Sequence, residues 1–108
     1  MANTYRNAKV DLTTDTETTL YTTPSNSKSI VKSILVSNDT GSASTITVTL
    51  TDADAAVFSL FKVTAVAANT SIQLLTEPLI LEENEILKVT AANANALHVI
   101  ISILEIDF

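Results

Sequence analysis

The sequence predicts an all-β fold, a single-domain antiparallel β-sandwich of about eight strands with jelly-roll or immunoglobulin-like connections. Three observations predict it. Apolar and polar residues alternate in short segments that recur about every ten residues, a sandwich or barrel spacing. Turn-forming clusters such as Thr23-Pro24-Ser25-Asn26-Ser27 and Asn38-Asp39-Thr40-Gly41-Ser42 separate those segments. The segments are rich in Ile, Val and Thr, whose branched side chains suit a pleated surface and lose rotamer freedom in a helix.

Met1 to Asn7 is polar and without periodicity, so it is expected to be an arm, ordered only when something ties it down. Ala8-Lys9-Val10-Asp11-Leu12 alternates as a short edge strand. Residues 1–17 therefore divide off as arm and possible edge strand, and residues 18–108 as the sandwich domain. Thr18 to Thr22 is a strand, closed by the turn at Pro24. Lys28 to Ser37 is an inner strand with neither face clean. The turn at Asn38 to Ser42 holds the only glycine, Gly41, which is expected at a position of positive φ.

Ser44 to Thr51 alternates most cleanly, with Ile46, Val48 and Leu50 inward and Thr45, Thr47, Thr49 and Thr51 outward. The alanine-rich stretch Asp52 to Ala68 tempts a helical reading. Phe58, Leu60 and Phe61 fit neither period, however, and Val63, Thr64 and Val66 are β-branched, so Ala56 to Val63 is read as strand. Ser71 to Leu75, Leu79 to Leu81 and Glu85 to Ala91 follow, with Glu77-Pro78 and Glu82-Glu83-Asn84 as breaks. The run from Leu97 to Phe108 is apolar on both faces: Leu97, Val99, Ile101 and Ile103 on one, Ile100, Leu104, Ile106 and Phe108 on the other. A strand of that kind is a central one, covered on both sides by other elements or by another chain.

At 108 residues the chain is one domain. It holds no cysteine, so disulfides and thiolate metal sites are absent. Met1 to Arg6 lacks the apolar core of a signal peptide, and no apolar run reaches membrane-span length; the expectation is a soluble product of a cytoplasm. A formal charge of −6 makes nucleic acid and anionic membranes poor partners. Only 17% of residues are charged while 46% are hydrophobic, which leaves aliphatic side chains and threonines for the surface. Such a surface suits cover by neighbouring subunits.

Catalytic chemistry is missing. His98 is the only histidine, and no nucleophile, P-loop, zinc or dinucleotide motif accompanies it. Asp52 with Asp54, and Glu82-Glu83 with Glu85, are carboxylate clusters in polar turns; either could in principle bind calcium at a loop, but neither fits the twelve-residue EF-hand pattern. A sugar site would want flat aromatics, but tryptophan is absent and Tyr5, Tyr21, Phe58, Phe61 and Phe108 are scattered. No cofactor and no metal are expected.

The segments Leu20-Tyr21-Thr22-Thr23-Pro24 and Ser29-Ile30-Val31-Lys32-Ser33-Ile34-Leu35-Val36-Ser37-Asn38 resemble small β-sandwich virion structural proteins of tailed bacteriophages, particularly the marine and cyanobacterial type. Ile46 to Asp52, Pro78 to Glu82 and Glu85 to Ala91 are similar to theirs as well, so the likeness spans roughly residues 18 to 106. Many relatives carry a glycine in the acidic turn before the penultimate strand, where this chain has Glu83-Asn84. The resemblance implies a non-enzymatic role inside a virion: a capsid decoration or cement protein on the assembled head, or alternatively a tail, fibre or fibre-adaptor component. A free-standing carbohydrate or ligand module is the competing class. The implied partners are the major capsid protein or other virion proteins and further copies of the chain, with no nucleic acid and no membrane. Tyr5, Arg6, Lys9, Val10 and Phe108 are the expected assembly contacts, because the N-terminal segment is the least acidic part of the chain.

Overall fold

The computed structural model describes residues 2–108. They form nine strands: β1 (Ala2–Leu12), β2 (Thr18–Thr22), β3 (Ser27–Asn38), β4 (Ser44–Thr51), β5 (Val57–Val66), β6 (Thr70–Gln73), β7 (Leu79–Leu81), β8 (Ile86–Ala91) and β9 (Leu97–Asp107). One sheet has the order β1-β9-β3-β6, with β7 pairing a different stretch of β3, and the other has the order β2-β8-β4-β5. All pairings are antiparallel. The pairs nest: β4 with β5, β3 with β6 and β7, β2 with β8, β1 with β9. That is a long hairpin rolled into two facing sheets, a jelly roll rather than an immunoglobulin arrangement.

The core lies between the sheets. Val31, Ile34 and Val36 of β3, Ile46 and Val48 of β4, Leu87 and Val89 of β8, and Leu97, Val99, Ile101 and Ile103 of β9 are buried there. The alternation read for β4 holds for its apolar face, since Ile46, Val48 and Leu50 all point inward, but Thr49 and Thr51, expected outward, are buried as well. On β9 the odd-numbered face points into the core as expected. The even-numbered face is not covered: Ile100 is 41% exposed, because β9 is central within its sheet but that sheet has a partner on one side only.

Two expectations are corrected. Ala2 to Asn7 is not a free arm, for β1 runs unbroken from Ala2 to Leu12 and pairs with β9 in register from Ala2↔Asp107 to Leu12↔Leu97. (Met1 lies outside the described residues.) The hydrogen-bonding edge of β9 holds these polar residues, so apolar periodicity was not required of them. Gly41 does not take positive φ. The left-handed positions fall instead on Asn26 (φ 60°), Asn69 (54°), Asn84 (65°) and Asn95 (59°), with Ala55 and Val63. Asparagine tolerates that region through its short polar side chain. Asn84 thus supplies in the acidic turn the backbone geometry for which glycine is the usual residue.

β5 is the irregular strand. Its ladder to β4 shifts register twice, between Ile46 and Val48 and between Val48 and Thr49. Val63, at φ 51°, sits in the first shift. Bulges at an edge twist it away from strand addition by strangers.

Candidate assembly surface

Register places side chains on the outer face of the β1-β9-β3-β6 sheet in rows across the strands. One row runs Tyr5, Leu104, Ile30, Ile80 over β1, β9, β3 and β7. A second runs Lys9, Ile100, Leu35. Tyr5 is 73% exposed and Ile80 60%, with Leu35 and Ile100 near 40%. Leu35 and Ile100 stand on the two central strands, β3 and β9, so their exposure belongs to the folded sheet and not to a loop.

Shallow depressions run along the β1–β9 seam of this face. One is lined by Tyr5, Arg6, Asn7, Lys32, Ser102 and Ile103, and Lys32 Nζ stands 5.5 Å from the Tyr5 ring centre. That is a cation–π distance. The other is lined by Lys9, Val10, Asp11, His98, Val99 and Ile100, with His98 Nε2 3.3 Å from Asp11 Oδ1. Neither holds a nucleophile–base pair, and no group of three or more metal-ligating side chains occurs among the described residues. His98 is thus a half-exposed residue beside one carboxylate.

The polar constellation that sequence reasoning missed is on the inner side. Glu105 follows the core-facing residues Ile101 and Ile103 in the β9 alternation and is buried, at 7% exposure. Its carboxylate accepts from Tyr21 Oη and from Arg6 Nη1, the latter at 3.1 Å to Oε2 and 3.3 Å to Oε1. Tyr21 Oη also lies 2.6 Å from Ser29 Oγ. Burial, followed by the hydrogen bond to Glu105, pushes the Tyr21 hydroxyl up from 10.0 to about 12. The signal was legible in principle, since a carboxylate on the core side of a strand demands a partner. With Tyr21 neutral and Glu105 occupied by Arg6, the cluster joins β1, β2, β3 and β9 and offers no acid–base pair.

The five expected contact residues therefore part company. Tyr5 and Lys9 point outward onto the exposed face. Arg6 turns in to Glu105, and Val10 is half-buried against the core. Phe108, 60% exposed, lies at the far end of β9, its N–H donating to Asn26 O at 2.9 Å.

No protein-family model matches this chain, and no curated protein sequence does. Solved structures match it in fold. A chain in the acid-stable capsid of Helicobacter pylori bacteriophage KHP30 superposes with TM-score 0.57 at 13% identity, covering 100% of this chain and 95% of that one. A Bacillus endospore appendage protein, of a family of disulfide-linked pili, matches with TM-score 0.58 at 10% identity over 98% of this chain and 88% of its own. A chain of the T13 particle of infectious bursal disease virus matches with TM-score 0.58 at 11% identity. There the likeness covers 95% of this chain but 30% of the viral one, so this chain spans under a third of that protein's length. At these identities the likenesses show the fold alone, a two-sheet antiparallel β-sandwich.

Proposed function

We propose that the chain is a non-enzymatic structural subunit of a bacteriophage virion, and within it a decoration or cement protein that binds the assembled head. The observation that carries the proposal is the uncovered outer face of the β1-β9-β3-β6 sheet, where Tyr5, Ile80, Ile100 and Leu35 are exposed. The fold match to a phage-capsid chain of nearly the same length supports the virion assignment. A disulfide-linked pilus is disfavoured because this chain has no cysteine. A carbohydrate platform is disfavoured because Tyr5 is the one aromatic ring in the outer rows, and Lys32 stands over it.

The test is mass spectrometric quantitation on purified phage particles, with binding of the recombinant chain to particles that lack it. Copy number scaling with the capsomers, and saturable binding to heads, are the expected results. A handful of copies confined to the tail would move the assignment to the tail or fibre alternative. Absence from particles would overturn the virion role altogether.

A further inference from the structure

The basic residues of this acidic chain are unevenly placed. Of the six, Arg6 is committed to Glu105, Lys88 lies 3.8 Å from Glu17, and Lys62 sits on the edge strand β5. Lys9 and Lys32 stand on the outer face of the β1-β9-β3-β6 sheet, interleaved with Ile100, Leu104 and Leu35, while Lys28 stands at the edge of that face, next to Ser29, which pairs with Leu81 at the β7–β8 turn. Asp11 lies on this face beside His98, and Glu82 follows Leu81 of β7 at the edge where Lys28 stands. A chain of formal charge −6 thus presents one net-positive, aliphatic face.

Its complement is on the same molecule. The β4–β5 turn, the β7–β8 turn and the β2–β3 loop meet at one end of the sandwich, where Asn84 N donates to Thr23 O at 3.1 Å and Thr23 N to Glu85 O at 2.9 Å. The pairing of Thr51 with Ile86 brings the β4–β5 turn to the same end, so Asp52 and Asp54 lie at the end that carries Glu82, Glu83 and Glu85. Asp52, Glu83 and Glu85 are tied to backbone N–H groups of the turns. Asp54 and Glu82 are exposed, and their carboxylates are not engaged in any such bond. Beside them Val57 is 61% exposed and Phe58 54%. Acid and apolar groups at this end answer lysine and aliphatic groups on the face.

We propose that the outer face of the β1-β9-β3-β6 sheet docks the acidic end of a second copy of the chain. The inference goes beyond the virion assignment and does not rest on it; because the head is proposed to use this same face, a second copy and the head compete for it. A face-to-face pair would set lysine against lysine, so the contact is heterologous, and repetition builds an open chain or a ring. The two shorter extents of the molecule, 26 and 22 Å, limit the contact to about 570 Å² per copy. That is the low end of specific interfaces, so the association is reversible and rises with concentration. Two lysines with a third at the edge are too few, with aliphatic side chains between them, to make a nucleic-acid or membrane surface on an anionic protein.

Sedimentation velocity on the full chain over a concentration series at low salt tests this. The mass should climb past the dimer, and raising salt from about 0.05 M to about 0.5 M should reverse it. Lys9→Glu with Lys32→Glu disables the face, and Asp54→Asn with Phe58→Ser disables the end. Each double variant should keep its circular dichroism spectrum and self-associate at least about tenfold more weakly. Mixed, the two should restore a complex that stops at a one-to-one heterodimer, since only one good face and one good end remain. A wild-type chain that stays monomeric, or a mixture that does not associate, would overturn the proposal. So would a monomeric chain whose face variant has lost binding to anionic vesicles or nucleic acid instead.

Discussion

Replacing Arg6 by alanine should lower the stability of the domain by about 1–2 kcal/mol, and the reasoning runs through Glu105. Breaking a buried ion pair costs about 3–5 kcal/mol because the surviving charge is left desolvated. An exposed pair is worth about 0–1 kcal/mol. This pair is mixed: the Glu105 side chain is 9% exposed and that of Arg6 52%, so solvent screens one partner and the cost falls between the limits. Tyr21 Oη still donates to the orphaned carboxylate, which keeps the value in the lower part of the range. A loss of that size should reduce Tm by about 4–12 °C. Urea unfolding followed by far-ultraviolet dichroism gives the free energy, and the slope should not change. In a Glu105→Gln background the buried charge is gone, and Arg6→Ala should then cost no more than about 0.5 kcal/mol. Equal losses in both backgrounds would refute the argument, because Arg6 would then act through something other than Glu105.

Ile101 is wholly buried on β9, so Ile101→Ala should cost about 2–5 kcal/mol, while Thr45→Ala on the outer side of β4 should stay within about 0.5 kcal/mol, both read from denaturant midpoints. The hydroxyls of Thr49 and Thr51 are buried without a hydrogen-bond partner, and Thr49→Val or Thr51→Val should leave stability unchanged or raise it by about 1 kcal/mol. The Tyr21 hydroxyl is raised from 10.0 to about 12, so the fold favours its neutral form. That contribution is complete below pH 10 and lost as pH rises toward 12; a thermal-melt series should show it, and Tyr21→Phe should flatten that part of the profile.

Strand periodicity was readable wherever one face met the core. β8, the first half of β4 and the inner side of β9 follow their alternation directly, because each inward residue meets the opposite sheet, whereas Thr49 and Thr51 of β4 are buried against the pattern. β1 was legible only from Ala8 to Leu12, the part whose side chains touch the core. Its first residues are strand because β9 offers a ladder edge, and a ladder leaves no mark on side-chain pattern. The division of labour on β3, which pairs β7 near one end and β6 near the other, is a matter of chain path and was not legible. The faces of β5 were obscured by its two register shifts, which break the two-residue period. For the candidate surface, the apolar even-numbered face of β9 was visible in the sequence. The placing of Lys9 and Lys32 beside it was not, because it needs the register of three strands.

The nested pairing of the strands has a consequence for how the chain reaches its fold. β4 and β5 are joined by a tight turn and can pair early, whereas Ala2 meets Asp107 across almost the whole length of the chain. Loop closure must be met before such remote contacts give anything back, which places the fold among the slow, high-contact-order β topologies. β9 lies between β1 and β3, so until it arrives β3 lacks its neighbour and β1 has nothing to pair with. A nascent chain that does not yet include β9 therefore carries Val31, Ile34 and Val36 on an unfinished sheet. During synthesis that interval is the one in which the protein is most exposed to aggregation, and the one in which a chaperone would find it.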